Sequence, residues 1–242
     1  MKNVVIIQAR MGSTRLPGKV LTNLAGKTVL AHVIERAQNF KNVQEIVVAT
    51  TTGAQDALIV EEAISQGATV YLGSEYDVLS RYYEAGLQAK ADTVIRITSD
   101  CPLIDPEVSS HIIQEYLNEG GKYDYVSNTL NRSYPRGLDT EVFSFASLEA
   151  AHRQSQRAHD REHVTPYIYN TPKYFNCRSV LSDEGILDYR WTLDTPEDWE
   201  LISRIYNSLY LPGQLFTWKE AASLMRKNPD WAMINSHVEQ KQ

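Results

Sequence analysis

Hydrophobic positions change their period repeatedly along the first hundred residues. Residues 4–9 open with an unbroken apolar run, which predicts a buried strand. Residues 28–40 then place Val29, Leu30, Val33, Ile34 and Ala37 at helical spacing. The alternation recurs, predicting strands over 45–50, 69–72 and 93–98 and helices over 54–66, 77–89 and 106–119. Short apolar strands separated by such helices build βαβ units, and hence an α/β fold with a mainly parallel sheet. Ligands of these sheets sit at the carboxyl ends of the strands. Residues 10–19, 50–53, 73–77 and 99–105 therefore carry the functional interest, with Thr50 a candidate nucleotide contact.

The pattern loosens over residues 121–180. Strands are predicted over 123–127 and 140–145 and a helix over 147–157, with Tyr167, Tyr169, Tyr174 and Phe175 gathered nearby. This segment is expected to be an excursion that closes over a substrate or makes a dimer contact, within a single domain of 1–242. Residues 188–193 read as a return strand, 196–209 and 217–226 as helices, and 237–242 as a polar tail.

Composition narrows the function classes. The 242 residues are 43% hydrophobic and 22% charged, which excludes disorder for most of the chain. With 24 basic and 30 acidic residues the net charge is −6, so a general nucleic-acid binder is not expected, while a local basic pocket remains open. Cys101 and Cys177 are too few for a disulfide framework or a four-cysteine zinc site. The apolar run at the N-terminus is too short for a signal-peptide core, and no stretch approaches a membrane span. A cytoplasmic protein without membrane attachment is expected.

The loop after the first strand, Gln8-Ala-Arg-Met-Gly-Ser-Thr-Arg-Leu-Pro-Gly-Lys19, is the most informative stretch. Arg10, Arg15 and Lys19 are interleaved with Gly12, Ser13, Thr14 and Gly18. Cations, hydroxyls and small residues at a strand's carboxyl end can cradle a polyphosphate. Neither a P-loop nor a dinucleotide fingerprint is matched: five residues separate Gly12 from Gly18, and Val20 follows Lys19. A solvated, turn-forming loop is the bland alternative.

Two aspartates follow predicted strands: Asp100 in Ser99-Asp-Cys-Pro-Leu103, and Asp194 before Thr195-Pro-Glu-Asp198. Capping accounts for Asp105 and Thr195, each preceding a proline at the first helical position, but Asp100 and Asp194 sit too early to cap. Two hard oxygen ligands beside a polyphosphate suit Mg²⁺. His159 and His163 share a helical spacing but lack an evident third zinc ligand. Cys101 reads as a small buried residue rather than a nucleophile.

Several of these motifs, in order along nearly the whole chain, resemble one family. Val-Ile-Ile-Gln-Ala-Arg-Met-Gly-Ser-Thr-Arg-Leu-Pro-Gly-Lys19 looks like the N-terminal signature of sugar-acid cytidylyltransferases. Gly73-Ser-Glu-Tyr-Asp-Val-Leu-Ser-Arg-Tyr-Tyr83, Ile97-Thr-Ser-Asp-Cys-Pro-Leu-Ile104 and Asp160-Arg-Glu-His-Val-Thr-Pro-Tyr-Ile168 resemble its spore-coat polysaccharide biosynthesis protein F branch. The resemblance implies a three-layer nucleotide-diphospho-sugar transferase (GT-A-like) fold, a homodimer, and transfer of CMP from CTP to a sugar acid for surface or spore-coat polysaccharide. It implies that Arg10, Arg15 and Lys19 bind triphosphate, that Asp100 and Asp194 bind Mg²⁺, and that Gln8, Ala9 and Thr98 face cytosine and ribose. His163 and Tyr167 fall where the octulosonate enzymes have a His and a Tyr near the sugar. Those enzymes carry Gln-Gly-Asp-Glu-Pro where this chain has Thr98-Ser-Asp-Cys-Pro, so an acidic neighbour and a base-side residue differ. Arg136, in Pro135-Arg-Gly-Leu-Asp-Thr-Glu141, offers a planar fork to a sugar carboxylate or pairs Asp139 or Glu141. A glycosyltransferase using a nucleotide-sugar donor is the alternative, although no Asp-x-Asp occurs in the chain; a non-catalytic homologue is another.

Overall fold

The apolar run near the N-terminus becomes β1 (Asn3–Gln8), whose Val4, Val5, Ile6 and Ile7 are all shielded from solvent. In a strand, neighbouring side chains point to opposite faces, so a run with no polar break buries both. Val5 and Ile7 enter one core and Val4 and Ile6 another. The computed structural model describes residues 1–239.

A small hairpin, β2 (Asn23–Leu24) and β3 (Lys27–Thr28), leads into α1 (Val29–Ala37), which Thr28 caps by accepting from the Ala31 amide. β4 (Glu45–Thr51), α2 (Ala57–Ser65), β5 (Thr69–Gly73), α3 (Val78–Gln88), β6 (Thr93–Thr98) and α4 (Pro106–Asn118) continue the alternation. β7 (Tyr125–Ser127), β8 (Glu141–Ser144), α5 (Phe145–Gln154), α6 (Ala158–His163), α7 (Pro166–Tyr169) and β9 (Cys177–Ser179) follow, then α8 (Pro196–Leu209) and α9 (Trp218–Lys227). Seven strands form one sheet in the order β5-β4-β1-β6-β8-β7-β9. It is mainly parallel, with β8 antiparallel to both of its neighbours. Residues of α1, α4, α8 and α9 cover one face and residues of α3, α5 and α7 the other, giving three layers.

Residues 121–180 contribute β7, β8 and β9 to this sheet, while α6 and α7 rise beside its carboxyl edge. The strand expected over 188–193 is corrected: the segment joins the ladders only through a single bridge between Arg136 and Arg190. Its backbone is spent elsewhere. Trp191 N donates to the Arg136 carbonyl at 2.7 Å, and Leu193 N donates to the Asp100 carbonyl at 2.8 Å. The alternation that reads as a strand reflects burial of Trp191 and Leu193 as the segment crosses the sheet's end. Of the expected tail, Gln240, Lys241 and Gln242 lie outside the described residues. No helix among the described residues is long and apolar enough to cross a membrane.

Candidate active site

A cleft of about 1030 Å³ opens at the carboxyl edge, lined by the loop after β1, the turn after β5, the residues after β6 and the α6–α7 wall. The loop folds back on the Met11 carbonyl, which accepts from the Ser13 amide at 2.8 Å and the Gly18 amide at 3.3 Å. Asp56, buried, fixes its base by accepting from the Met11 amide at 2.8 Å. The hydroxyls of Thr50 and Thr51 donate to the other Asp56 oxygen. Thr50 is therefore corrected from a cleft contact to a brace: it is fully buried and turned toward Asp56.

Gln8, Ala9, Arg10, Gly12, Ser13, Arg15, Lys19, Thr98, Asp100 and Asp194 all line the cleft. The Lys19 ammonium donates to Asp100 Oδ2 and to Asp194 Oδ1, each at 2.7 Å. Burial pulls the Lys19 pKa down, but the two carboxylates outweigh it and hold it up at about 12. Burial pushes the Asp100 carboxyl up, while Lys19 and the Thr98 hydroxyl at 2.6 Å overcome that and hold it at about 2. Asp194 also meets Arg15 at 3.2 Å and Arg190 at 2.9 Å. Arg190 in turn spans to the fully buried Asp198, which completes the Thr195 capping box of α8. Asp105 caps α4, as its place before Pro106 predicts. Asp100 and Asp194 cap nothing and meet in the cleft, brought there by the Leu193–Asp100 backbone bond.

Arg10 lies 3.7 Å from Glu75. Arg136 lines the cleft without a carboxylate within 4.0 Å among the described residues, because Asp139 is taken by a two-pronged bond from Arg132 and Glu141 by Arg96. Burial and Arg132 push the Arg136 pKa below the usual arginine range. Its position is set by Gly137, where a Cβ would stand 2.5 Å from the Trp191 carbonyl and φ is +99°. His163 lines the cleft, with its ring tilted against that of His159 at 4.6 Å between ring centroids. Among the described residues no group of three or more His, Cys, Asp or Glu side chains could hold a metal. Tyr167 is corrected from a cleft contact: it is part-buried, packs edge-on against Phe175 and does not line the cleft, whereas Tyr169 and Asn170 do. Cys101 is buried, and burial pushes its thiol well up, as suits a packing residue.

Other residues of the cleft carry little trace in the sequence. Glu141, at the start of β8, pairs with Arg96 of β6 directly across the ladder and accepts from the Tyr125 and Thr165 hydroxyls at 2.6 Å each. Arg96 also donates to Gln8 Oε1 at 3.2 Å, which orients that amide. Asp77 caps α3 and pairs with Arg161 of α6, so two of the motifs quoted above are physically clasped together.

An α/β sheet with a cation-rich loop facing paired carboxylates across its carboxyl edge is the framework of a nucleotidyltransferase. The chain belongs to the cytidylyltransferase family, whose model matches residues 4–218, and is an enzyme of the nucleotidyltransferase class. It is 34% identical over 234 residues to the spore coat polysaccharide biosynthesis protein SpsF of Bacillus subtilis (strain 168), covering 94% of this chain and 95% of that one. It is 38% identical over 111 residues to the 3-deoxy-manno-octulosonate cytidylyltransferase of Anaeromyxobacter dehalogenans (strain 2CP-C), which is 45% of each chain. The structure of a cytidylyltransferase from Leptospira borgpetersenii superposes with a TM-score of 0.91 at 30% identity, covering 100% of this chain and 99% of that one.

Proposed function

We propose that this protein transfers CMP from CTP to a hydroxyl of a sugar acid of the ulosonic or nonulosonic type, releasing pyrophosphate, and that the product feeds surface polysaccharide synthesis. The observation that carries this is the Lys19 ammonium held 2.7 Å from both Asp100 and Asp194, beneath a loop that also brings Arg10 and Arg15 to the cleft. Since one ammonium nitrogen touches both carboxylates, a single cation can contact both. Two carboxylates plus phosphate oxygens fit Mg²⁺. Asp100 and Asp194 would hold it, and when bound it supplies charge neutralisation at the α-phosphate and a lowered pKa for the attacking hydroxyl.

The protein's own residues do the positioning. Arg10, Arg15 and Lys19 hold the β- and γ-phosphates and stabilise the leaving pyrophosphate. Gln8, Ala9 and Thr98 face the nucleoside, while Gly12 and Ser13 let the loop approach the phosphates closely. Arg136 receives the sugar carboxylate and His163 contacts the sugar. The sugar hydroxyl oxygen bonds to the α-phosphorus as that phosphorus loses its bond to the oxygen shared with the β-phosphate, pyrophosphate leaves, and the hydroxyl proton passes to water. Within residues 121–180, the α6–α7 wall closes over the substrate in this scheme, and the enzyme works as a homodimer, which the family resemblance supports and sedimentation checks.

The test is a pyrophosphate-release screen of four nucleoside triphosphates against sugar acids and sugar phosphates. Release with CTP and an ulosonic or nonulosonic acid supports the proposal. Release of a nucleoside diphosphate from a nucleotide-sugar, without pyrophosphate from any free triphosphate, overturns it.

A further inference from the structure

The two carboxylates that Lys19 holds each turn one oxygen to the ammonium: Oδ2 of Asp100 and Oδ1 of Asp194. The other oxygen of each is already engaged. Asp100 Oδ1 accepts from the Thr98 hydroxyl at 2.6 Å. Asp194 Oδ2 accepts from Arg190 Nη2 at 2.9 Å, with Arg15 at 3.2 Å from the same oxygen. These engagements differ in firmness. A hydroxyl rotates away at little cost, and Arg15 is an exposed side chain on the β1 loop. Arg190 is 8% exposed and fixed by buried partners.

Arg190 Nε donates to Asp198 Oδ1 at 2.8 Å and Nη2 to Asp198 Oδ2 at 3.0 Å, a two-pronged bond to a fully buried carboxylate. Asn235, itself buried, donates from one amide nitrogen to the Arg190 carbonyl at 2.9 Å and to Asp198 Oδ1 at 2.8 Å. It lies beyond residues 4–218 that the family model matches, so the C-terminal segment braces this cluster. Asp198 also accepts from the Asp194 amide at 2.9 Å. One buried cluster therefore grips Asp194 twice, at its backbone and at one carboxylate oxygen.

We propose that Arg190 is a positioning residue that confines Asp194 to a one-oxygen contact with the metal and so selects Mg²⁺ over Ca²⁺. This rests on the CTP-dependent function and the Asp100–Asp194 metal reading proposed above. Mg²⁺ demands a tight octahedron of oxygens, and one oxygen from each aspartate leaves the other places to phosphate and water. Ca²⁺ accepts more oxygens at longer distances and gains from a carboxylate that gives both. A guanidinium fixed on Oδ2 withholds that second oxygen. The Thr98 hydroxyl guards Asp100 in the same sense but less firmly, which leaves the discrimination mainly to Arg190.

Calorimetric titration of CTP into the protein, in millimolar Mg²⁺ or Ca²⁺ and without a sugar acceptor, tests this. The wild-type protein is expected to bind CTP about tenfold or more tightly with Mg²⁺. Arg190→Lys keeps a charge for Asp198 but cannot span to Asp194, so the preference should shrink to about twofold, chiefly through tighter binding with Ca²⁺. Arg190→Met combined with Asp198→Asn removes both charges of the buried pair together, which protects the fold, and should shrink the preference likewise. Asn235→Ala loosens the cluster but leaves the fork in place; it should lower the melting temperature and keep most of the preference. A wild-type protein that binds no CTP overturns the CTP function, and one that binds it equally without divalent metal overturns the metal reading and this role together. Equal binding with Mg²⁺ and Ca²⁺ in the wild type overturns the Arg190 role alone, as does a preference that survives both Arg190 variants. A preference lost as fully in Asn235→Ala would make Arg190 a brace for the start of α8 and also overturn the proposal.

Discussion

The Lys19 ammonium and the Asp194 carboxylate, 175 positions apart in the chain, meet at 2.7 Å, and the same nitrogen holds Asp100 at the same distance. With Arg15 and Arg190 also on Asp194, and Asp198 on Arg190, three cations balance three carboxylates. Mg²⁺ alone must displace a cation to reach either aspartate. In the proposed binding mode a triphosphate would give the loop cations new partners and free the carboxylates. Millimolar Mg²⁺ alone should therefore raise the melting temperature little, and Mg²⁺ with CTP by several degrees. Lys19→Met leaves two part-buried carboxylates facing each other, at a cost on the order of 3 kcal/mol. It should respond strongly to Mg²⁺ without nucleotide. An unchanged response in that variant would remove Lys19 as the counter-ion.

Arg136 is the cleft arginine whose neighbouring acids are already committed, Asp139 to Arg132 and Glu141 to Arg96. A charge-assisted bond to a substrate carboxylate contributes about 1.5–3 kcal/mol. Arg136→Ala should raise KM for the sugar acid roughly 10- to 100-fold, leave KM for CTP nearly unchanged, and be partly rescued by lysine. Steady-state kinetics with each substrate varied in turn decides this. Equal increases for both substrates would assign Arg136 to the scaffold.

The elements most legible in the sequence are those with both a clear period and a marked start. The strand over 93–98 and the helix over 196–209 fall where they are expected, the second because Thr195 and Pro196 fix its first turn. The cation loop and Asp100 were legible because charge and glycine stand out after strands, whereas Asp194 was reached through an expected strand that the structure replaces with a segment joined by a single bridge. What was not legible depends on phase or on distant partners. Tyr167 and Tyr169 lie in a four-residue helix, too short for periodicity to say which one faces the cleft. Glu141 reaches the site only because β8 runs antiparallel to β6 and sets it opposite Arg96, a register that no local pattern reports. Thr50 stands at a strand end, where contacts are expected, but Asp56 claims its hydroxyl.

The Arg96–Glu141 pair is a stability element as well as a site wall. Glu141 is 4% exposed and accepts from Tyr125 and Thr165 besides Arg96. Burial pulls the Arg96 pKa down, and Glu141 outweighs it to raise it. Glu141→Ala leaves a buried guanidinium and two hydroxyls without their acceptor, which should cost about 3–5 kcal/mol in urea unfolding. Adding Arg96→Met should recover a large part of that loss, since removing both charges costs less than removing one. Additive losses in the double variant would show that the two residues act independently.

His32 gives a pH dependence remote from the cleft. Its Nε2 lies 2.7 Å from the Leu24 carbonyl, and its ring is packed against Tyr206 and Tyr210. Burial pushes its pKa below the ordinary value of 6.5; the Leu24 carbonyl and Glu35 favour the proton, while Arg36 and Lys27 oppose it. The folded protein thus holds His32 neutral at a pH where the unfolded chain protonates it. As pH falls below about 6.5, the unfolded state gains protons first, and stability declines until the folded pKa is reached. Above pH 7 both states are neutral and the contribution is constant. The slope from this one group is at most about 1.4 kcal/mol per pH unit. His152 is shifted in the same direction, so total acid sensitivity does not isolate His32. The comparison that does is urea unfolding of wild type and His32→Gln at pH 7.5 and 5.5. Glutamine does not titrate and can keep a donor on Leu24, so the variant should lose less stability between the two values. Equal losses would place the acid sensitivity elsewhere in the fold.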